Sequence, residues 1–81
     1  FLDLRGRVAA TLVRIARESG TEAGPVELPA LTQGEVASLV AGTRQRVNAV
    51  LGDLGREGLI TYDGKRIIVL DVDQLDRRIG W

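Results

Sequence analysis

The sequence contains no cysteine and no histidine. Disulfides, thiolate or imidazole metal sites, and Ser-His or Cys-His catalysis are therefore excluded from it. Aromatic residues make up only 4% of the chain, so its core has to be aliphatic. No apolar run approaches the roughly 20 residues that span a bilayer, and no signal-peptide pattern opens the chain. Neither charge is in excess, because eleven Lys and Arg balance eleven Asp and Glu. A neutral balance argues against a generic polyanion binder, since non-specific DNA affinity is mostly phosphate neutralisation. A cytoplasmic setting with no membrane partner is the default expectation.

With 81 residues, 44% of them hydrophobic, the chain is long enough for one small globular domain. It begins at Phe1 rather than at Met, and is expected to be a piece of a longer protein. Its organising stretch is LTQGEVASLVAGTRQRVNAVLGDLGREG, from Leu31 to Gly58. Thr32 followed by Glu35 predicts a capping box, with Leu31 as a staple residue packing on Val36. Val36, Leu39 and Val40 form the apolar stripe of that helix. Ala41-Gly42 predicts a turn, and Thr43 offers a second N-cap. Val47, Val50, Leu51 and Leu54 follow at i, i+3, i+4 and i+7, the spacing of a helix face turned to a core.

This second helix carries Arg44 and Arg46 in its first turn, where the helix macrodipole disfavours cations. The mismatch makes sense if an external anion neutralises both guanidinium groups. Between Ala37 and Leu51 there are two arginines and no acid, while acids gather at Glu18, Glu22 and Glu27 and at Asp71, Asp73 and Asp76. Two helices, a tight turn and a basic start to the second helix point to a helix-turn-helix whose second helix enters a DNA groove.

The flanks complete the picture. Residues 1–19 read as a helix capped by Asp3, with Leu4, Val8, Leu12, Ile15 and Ala16 on one face. Arg5, Arg7, Arg14 and Arg17 lie largely off that face and read as a solvated surface in preference to a DNA contact. Residues 21–30 are a connection with a turn at Gly24-Pro25, a stop at Pro29 and a short strand at Val26-Glu27-Leu28. Gly58 suits a left-handed helix exit. A hairpin follows: strand Leu59–Tyr62, turn Asp63-Gly64, strand Arg66–Leu70, with Leu59, Ile60, Ile67 and Val69 packing on the helices. Asp71 or Asp73 then caps a last helix from Gln74 to Ile79, with Leu75 and Ile79 on one side. Trp81 is either a core plug or an exposed end residue. The expected fold class is α+β, mostly α: a winged helix-turn-helix with a three-helix core, a small hairpin wing and a short C-terminal helix.

Laid out in this way, nearly the whole chain resembles the C-terminal DNA-binding domain of the Crp/Fnr family of bacterial transcription regulators. The resemblance rests on Arg7-Val8-Ala9-Ala10-Thr11-Leu12 in the first helix, on LTQGEVASLVAGTRQRVNAVLGDLGREGLI, and on the wing Gly64-Lys65-Arg66-Ile67-Ile68-Val69 followed by Asp71 and Leu75. No one piece is specific, whereas the tripartite match at correct spacing is. Helix geometry places Arg44, Gln45, Asn48 and Ala49 opposite the inward face, where they can reach base edges. By position, the resemblance makes Arg44 the guanine-reading arginine and Gln45 a second base contact. It departs from the family at Ala49, where a second base-contacting arginine is frequent, at Arg46, where Thr or Ser is usual, and at Ala41-Gly42, where the glycine is displaced. Thr32, Thr43, Arg46 and Lys65 are phosphate candidates; simple capping accounts for Thr32 and Thr43 as well, and a solvated turn charge for Lys65.

The function these readings support is sequence-specific double-stranded DNA binding for transcription regulation, with a recognition helix over residues 44–57. The resemblance further implies a homodimer on a near-palindrome through a missing N-terminal part, an effector domain of unspecified ligand, and possible contact with RNA polymerase. No cofactor is expected in this segment. The alternative is a winged-helix protein-contact module that reads no DNA, which neutral charge and Ala49 favour. An enzyme has little support: Glu35 is the one acid expected to be partly buried, and the capping box explains it.

Overall fold

The computed structural model describes residues 3–19, 24–28, 33–63 and 66–79. The first helix, α1, runs Leu4–Glu18. Asp3 is extended and its carboxylate accepts from the Gly6 amide at 2.8 Å, the predicted N-cap. The buried stripe is wider than the expected one: Ala9 and Val13 join Val8, Leu12 and Ala16, while Leu4 and Ile15 sit partly buried at its edge. The width follows from the neighbours, because α2 (Gln33–Val40), α3 (Arg44–Arg56) and α4 (Val72–Asp76) all pack on α1. A helix touched on several sides needs a broad apolar arc.

Three strands form one antiparallel sheet: β1 Val26–Glu27, β2 Ile60–Asp63 and β3 Arg66–Val69, in the order β1-β3-β2. The sequence predicts the 26–28 strand and the hairpin separately; the structure joins them, pairing Val26 with Val69 on the edge of β3 away from β2. Leu28 adds a bond to the Ile67 carbonyl at 2.9 Å. This third strand matters, since a two-stranded hairpin is marginal in water. Register then fixes the faces. Ile60 opposes Val69 and Tyr62 opposes Ile67, so these four side chains share the face toward the helices, and all but Tyr62 are buried. Asp63 pairs with Arg66 and so belongs to the ladder rather than to the predicted turn. The expected turn glycine Gly64 lies outside the described residues, as do Leu31 and Trp81.

The α2–α3 connection is Ala41, Gly42 and Thr43. Ala41, not the glycine, takes the left-handed conformation, with φ 56°. The Gly42 amide then reaches back to the Ala37 carbonyl at 3.2 Å and closes α2. Gly42 serves close packing instead. A Cβ there would stand 2.9 Å from Leu4 Cδ1 and 3.0 Å from Val47 Cγ2. One expectation fails on α2: Leu39 is 54% exposed. At about 100° per residue, Val36, Ala37 and Val40 define the buried arc, and Leu39 falls outside it on the Glu35 side. Glu35 itself is exposed, against the expected partial burial.

At the other end of α3, Gly58 has φ 77° and the predicted left-handed exit. The Gly58 amide donates to Gly55 at 3.1 Å and the Leu59 amide to Leu54 at 3.0 Å, the paired bonds of a Schellman ending. The last helix is capped by Asp71, which accepts from the Gln74 amide at 3.1 Å, so it starts at Val72 rather than Gln74 and ends at Asp76. Among the described residues every buried side chain is aliphatic and no buried polar atom lacks a partner.

The turn generates a test. Ala41→Gly removes the left-handed penalty and should stabilise by up to about 1 kcal/mol, whereas Gly42→Ala crowds Leu4 and Val47 and should destabilise by about 1–3 kcal/mol. Chemical denaturation of both variants measures the pair; equal effects of one sign would contradict the assignment of roles.

Candidate nucleic-acid interface

The candidate surface is the first half of α3. Thr43 is extended and its hydroxyl accepts from the Arg46 amide at 3.3 Å, so the capping expected of it is present. From that cap the helix turns Val47, Leu51 and Leu54 fully inward, with Val50 at the edge of the core. What faces out is then fixed by periodicity. Arg44, Gln45, Arg46, Asn48 and Ala49 are all exposed. The structure therefore brings together the four residues expected to meet base edges, together with Thr43 and Arg46 from the phosphate candidates. The other two, Thr32 and Lys65, lie outside the described residues.

The charge of this surface differs from that of the whole chain. The first turn of α3 holds no acid, and among the described residues no carboxylate pairs with Arg44 or Arg46. Five other arginines are matched, while Arg7, Arg14 and Arg77, like Arg44 and Arg46, carry no ion pair among the described residues. Arg17 pairs with Asp76 at 3.1 Å and stands 3.9 Å from Asp73; Arg66 pairs with Glu27 at 3.2 Å, and Arg56 with Asp53. Arg17, and Arg5 through Glu57, are thus more than the solvated surface predicted for α1, whereas Arg7 and Arg14 are exposed with no ion pair among the described residues. Five of the ten arginines are neutralised in this way, none of them at the start of α3, whose first turn stays cationic on a neutral chain.

The densest of these pairings was not visible in the sequence. Glu57, the C-cap of α3, receives hydrogen bonds from both Arg5 and Arg78. The bond from Arg5 is the largest cause of a lowered Glu57 pKa; partial burial opposes it, and the charges of Arg5 and Arg78 add to the lowering. The available signal was position: a carboxylate at the negative end of a helix dipole is misplaced unless cations meet it.

An open depression of about 480 Å³ lies between α1 and the end of α4, and its Asp76 is already paired with Arg17. No group of three metal-ligating side chains is found among the described residues, and no helix there is long and apolar enough to cross a membrane.

A family model described as the Crp-like helix-turn-helix domain matches residues 6–78. A CRP-like cAMP-activated global transcriptional regulator of Mycobacterium tuberculosis is 40% identical over 80 residues, covering 96% of this chain and 36% of that relative. The cAMP-activated global transcriptional regulator CRP of Salmonella typhimurium is 33% identical over 70 residues, covering 85% of this chain and 33% of the relative. Among solved structures, a CRP-family transcriptional regulator from Thermus thermophilus superposes with a TM-score of 0.78 at 32% identity, over 98% of this chain and 41% of that one. The CO-dependent transcription factor CooA of Carboxydothermus hydrogenoformans gives a TM-score of 0.80 at 30% identity, over 93% of this chain and 36% of that one. The chain thus spans about a third of the length of the curated relatives it matches.

Two measurements check the local chemistry. Thr43→Ala should cost about 0.5–2 kcal/mol through the lost cap, read by denaturation. Glu57 has a lowered folded pKa, so its contribution is present above the ordinary carboxylate range and is lost as pH falls through the folded value. Because the carboxylate and its partners are partly exposed, Glu57→Gln should flatten that acid limb of a stability-versus-pH curve only slightly, and a large flattening would make the pairing a main support of the fold.

Proposed function

The chain belongs to the Crp-like helix-turn-helix family, and on that premise we propose that it regulates transcription by binding double-stranded DNA sequence-specifically, with α3 in the major groove. The observation that carries this reading is the pair Arg44 and Arg46, exposed at the start of α3 with no acid beside them. Two cations at the positive end of a helix dipole, with no carboxylate partner among the described residues, are what a phosphate-lined groove satisfies.

Within that reading the residues divide by reach. Arg44 bonds bidentately to guanine O6 and N7, and Gln45 bonds to adenine or accepts from cytosine N4. Asn48 lies one turn further along the same face. Ala49 makes no hydrogen bond and lies against a thymine methyl, so the half-site differs from one read by a second arginine. Arg46 and the start of α3 at Thr43 hold phosphate, as do Thr32 and Lys65. Two copies on a near-palindrome, with half-sites about one helical turn apart, an effector domain and contact with RNA polymerase belong to the intact regulator and to the same proposal.

Leu39 favours a second reading. A leucine 54% exposed on α2 suits contact with another protein, as in a winged-helix module that reads no DNA. Salt titration of duplex binding separates the two: phosphate neutralisation gives an affinity that falls steeply with salt, whereas an absent or salt-insensitive signal supports the protein-contact reading.

Arg44→Ala should cost about 1–3 kcal/mol of specific binding and relax preference at one base pair. Arg46→Ala should weaken all sequences similarly and reduce the salt slope by about 1. Unchanged binding of Arg44→Ala to a selected site would remove α3 as the reading helix.

A further inference from the structure

The first turn of α1 touches α3 at both of its ends. Leu4 packs against the Gly42 turn that leads into α3, so closely that a Cβ on Gly42 would lie 2.9 Å from Leu4 Cδ1. The next residue, Arg5, is bonded to Glu57, the cap at the far end of the same helix. Arg78, just beyond α4, is bonded to the other oxygen of the Glu57 carboxylate. A helix of this length extends about 20 Å, so two consecutive residues of α1 straddle it. The inward side chains Val47, Leu51 and Leu54 anchor the middle of α3. Apolar packing is non-directional, so it resists withdrawal of the helix more than a small swing about that middle. A hydrogen-bonded ion pair at one end is directional and opposes such a swing. Over half the helix length, a swing of several degrees displaces the Arg44 end by about 1 Å, enough to spoil bidentate hydrogen-bond geometry.

We propose that Glu57 is a positioning residue for base reading: held by Arg5 and Arg78, it fixes the pose of α3 on the first turn of α1 and thereby the reach of Arg44, Gln45 and Asn48. It touches no DNA in this account. The inference rests on α3 being the reading helix. It adds that discrimination between sequences depends on a carboxylate at the opposite end from the bases. Because all three side chains are partly exposed, their pairing adds little to stability, and its effect on reading is separable from an effect on folding.

The test compares the 81-residue protein with Glu57→Gln, Arg5→Gln, the double variant, Glu57→Asp and Arg44→Ala. Affinity is measured for a duplex selected by the wild type and for a random-sequence duplex, well below every melting temperature. Glu57→Gln is expected to lower the ratio of selected to random affinity about three- to tenfold, with random-duplex affinity and salt slope unchanged. Arg5→Gln should do the same, the double variant should add little to either, and Glu57→Asp should recover part of the ratio. A lower melting temperature with an unchanged ratio for Glu57→Gln would make the tie structural only and overturn the proposal, as would simple additivity in the double variant. Arg44→Ala keeps the two claims apart. If it lowers the ratio while Glu57→Gln does not, positioning fails and base reading by α3 stands; if neither lowers it, base reading by α3 itself fails.

Discussion

The burial of Val47, Leu51 and Leu54 against α1 decides which way α3 faces, and the rest of the arrangement depends on it. These three positions are fully buried, and a helix has one rotation that satisfies them all. Once that rotation is set, Arg44, Gln45, Asn48 and Ala49 must point outward. The supports converge on it. Gly42 admits α3 close to Leu4, Thr43 caps its start, and Gly58 lets the chain leave it toward β2. The sheet serves the same end, since Ile60, Ile67 and Val69 add to the core on which α3 rests.

The first residue and the C-cap of this helix both oppose its dipole, although Arg56 in its last turn favours it. An arginine opens it and a glutamate closes it, the reverse of the order a free helix prefers. The two mismatches are met differently. At the C-terminal end the partners are inside the fold, Arg5 and Arg78 around Glu57. At the N-terminal end no carboxylate is supplied among the described residues, and the cations are left for an outside anion. Zero net charge therefore coexists with a cationic first turn of α3: the carboxylates of Glu57, Asp76, Glu27 and Asp53 hold arginines elsewhere, and Arg7, Arg14 and Arg77 join Arg44 and Arg46 in carrying no ion pair among the described residues.

Much of this was legible in the sequence because it rests on local rules. Asp3, Thr43 and Gly58 each sit where a cap or an exit residue belongs, and each takes that role. The inward face of α3 and the outward position of Arg44 follow from a 3.6-residue period alone. What was not legible depends on tertiary neighbours. The width of the α1 stripe needed knowledge that several helices pack on it. Leu39 satisfies helical spacing yet lies outside the arc that α1 and α3 cover. The 26–27 strand was visible, but its edge was not, because strand order is set by pairing across 43 residues, Val26 to Val69. In the predicted Ala41-Gly42 turn the left-handed position falls to Ala41, while the glycine beside it packs closely against Leu4 and Val47. The Arg5–Glu57–Arg78 cluster joins residues from three elements and left only one trace in the sequence, an acid at the wrong end of a helix.

The most direct test of the central claim, that the outward face at the start of α3 is the DNA surface, is the change in backbone amide NMR shifts of the 81-residue chain as a duplex is added. The expected result is a set of large shifts over residues 43–49, with small ones along the α1 face that packs on α4. Shifts centred instead on Leu39, or on the α1–α4 face around Arg17 and Asp76, with residues 43–49 unmoved, would contradict it.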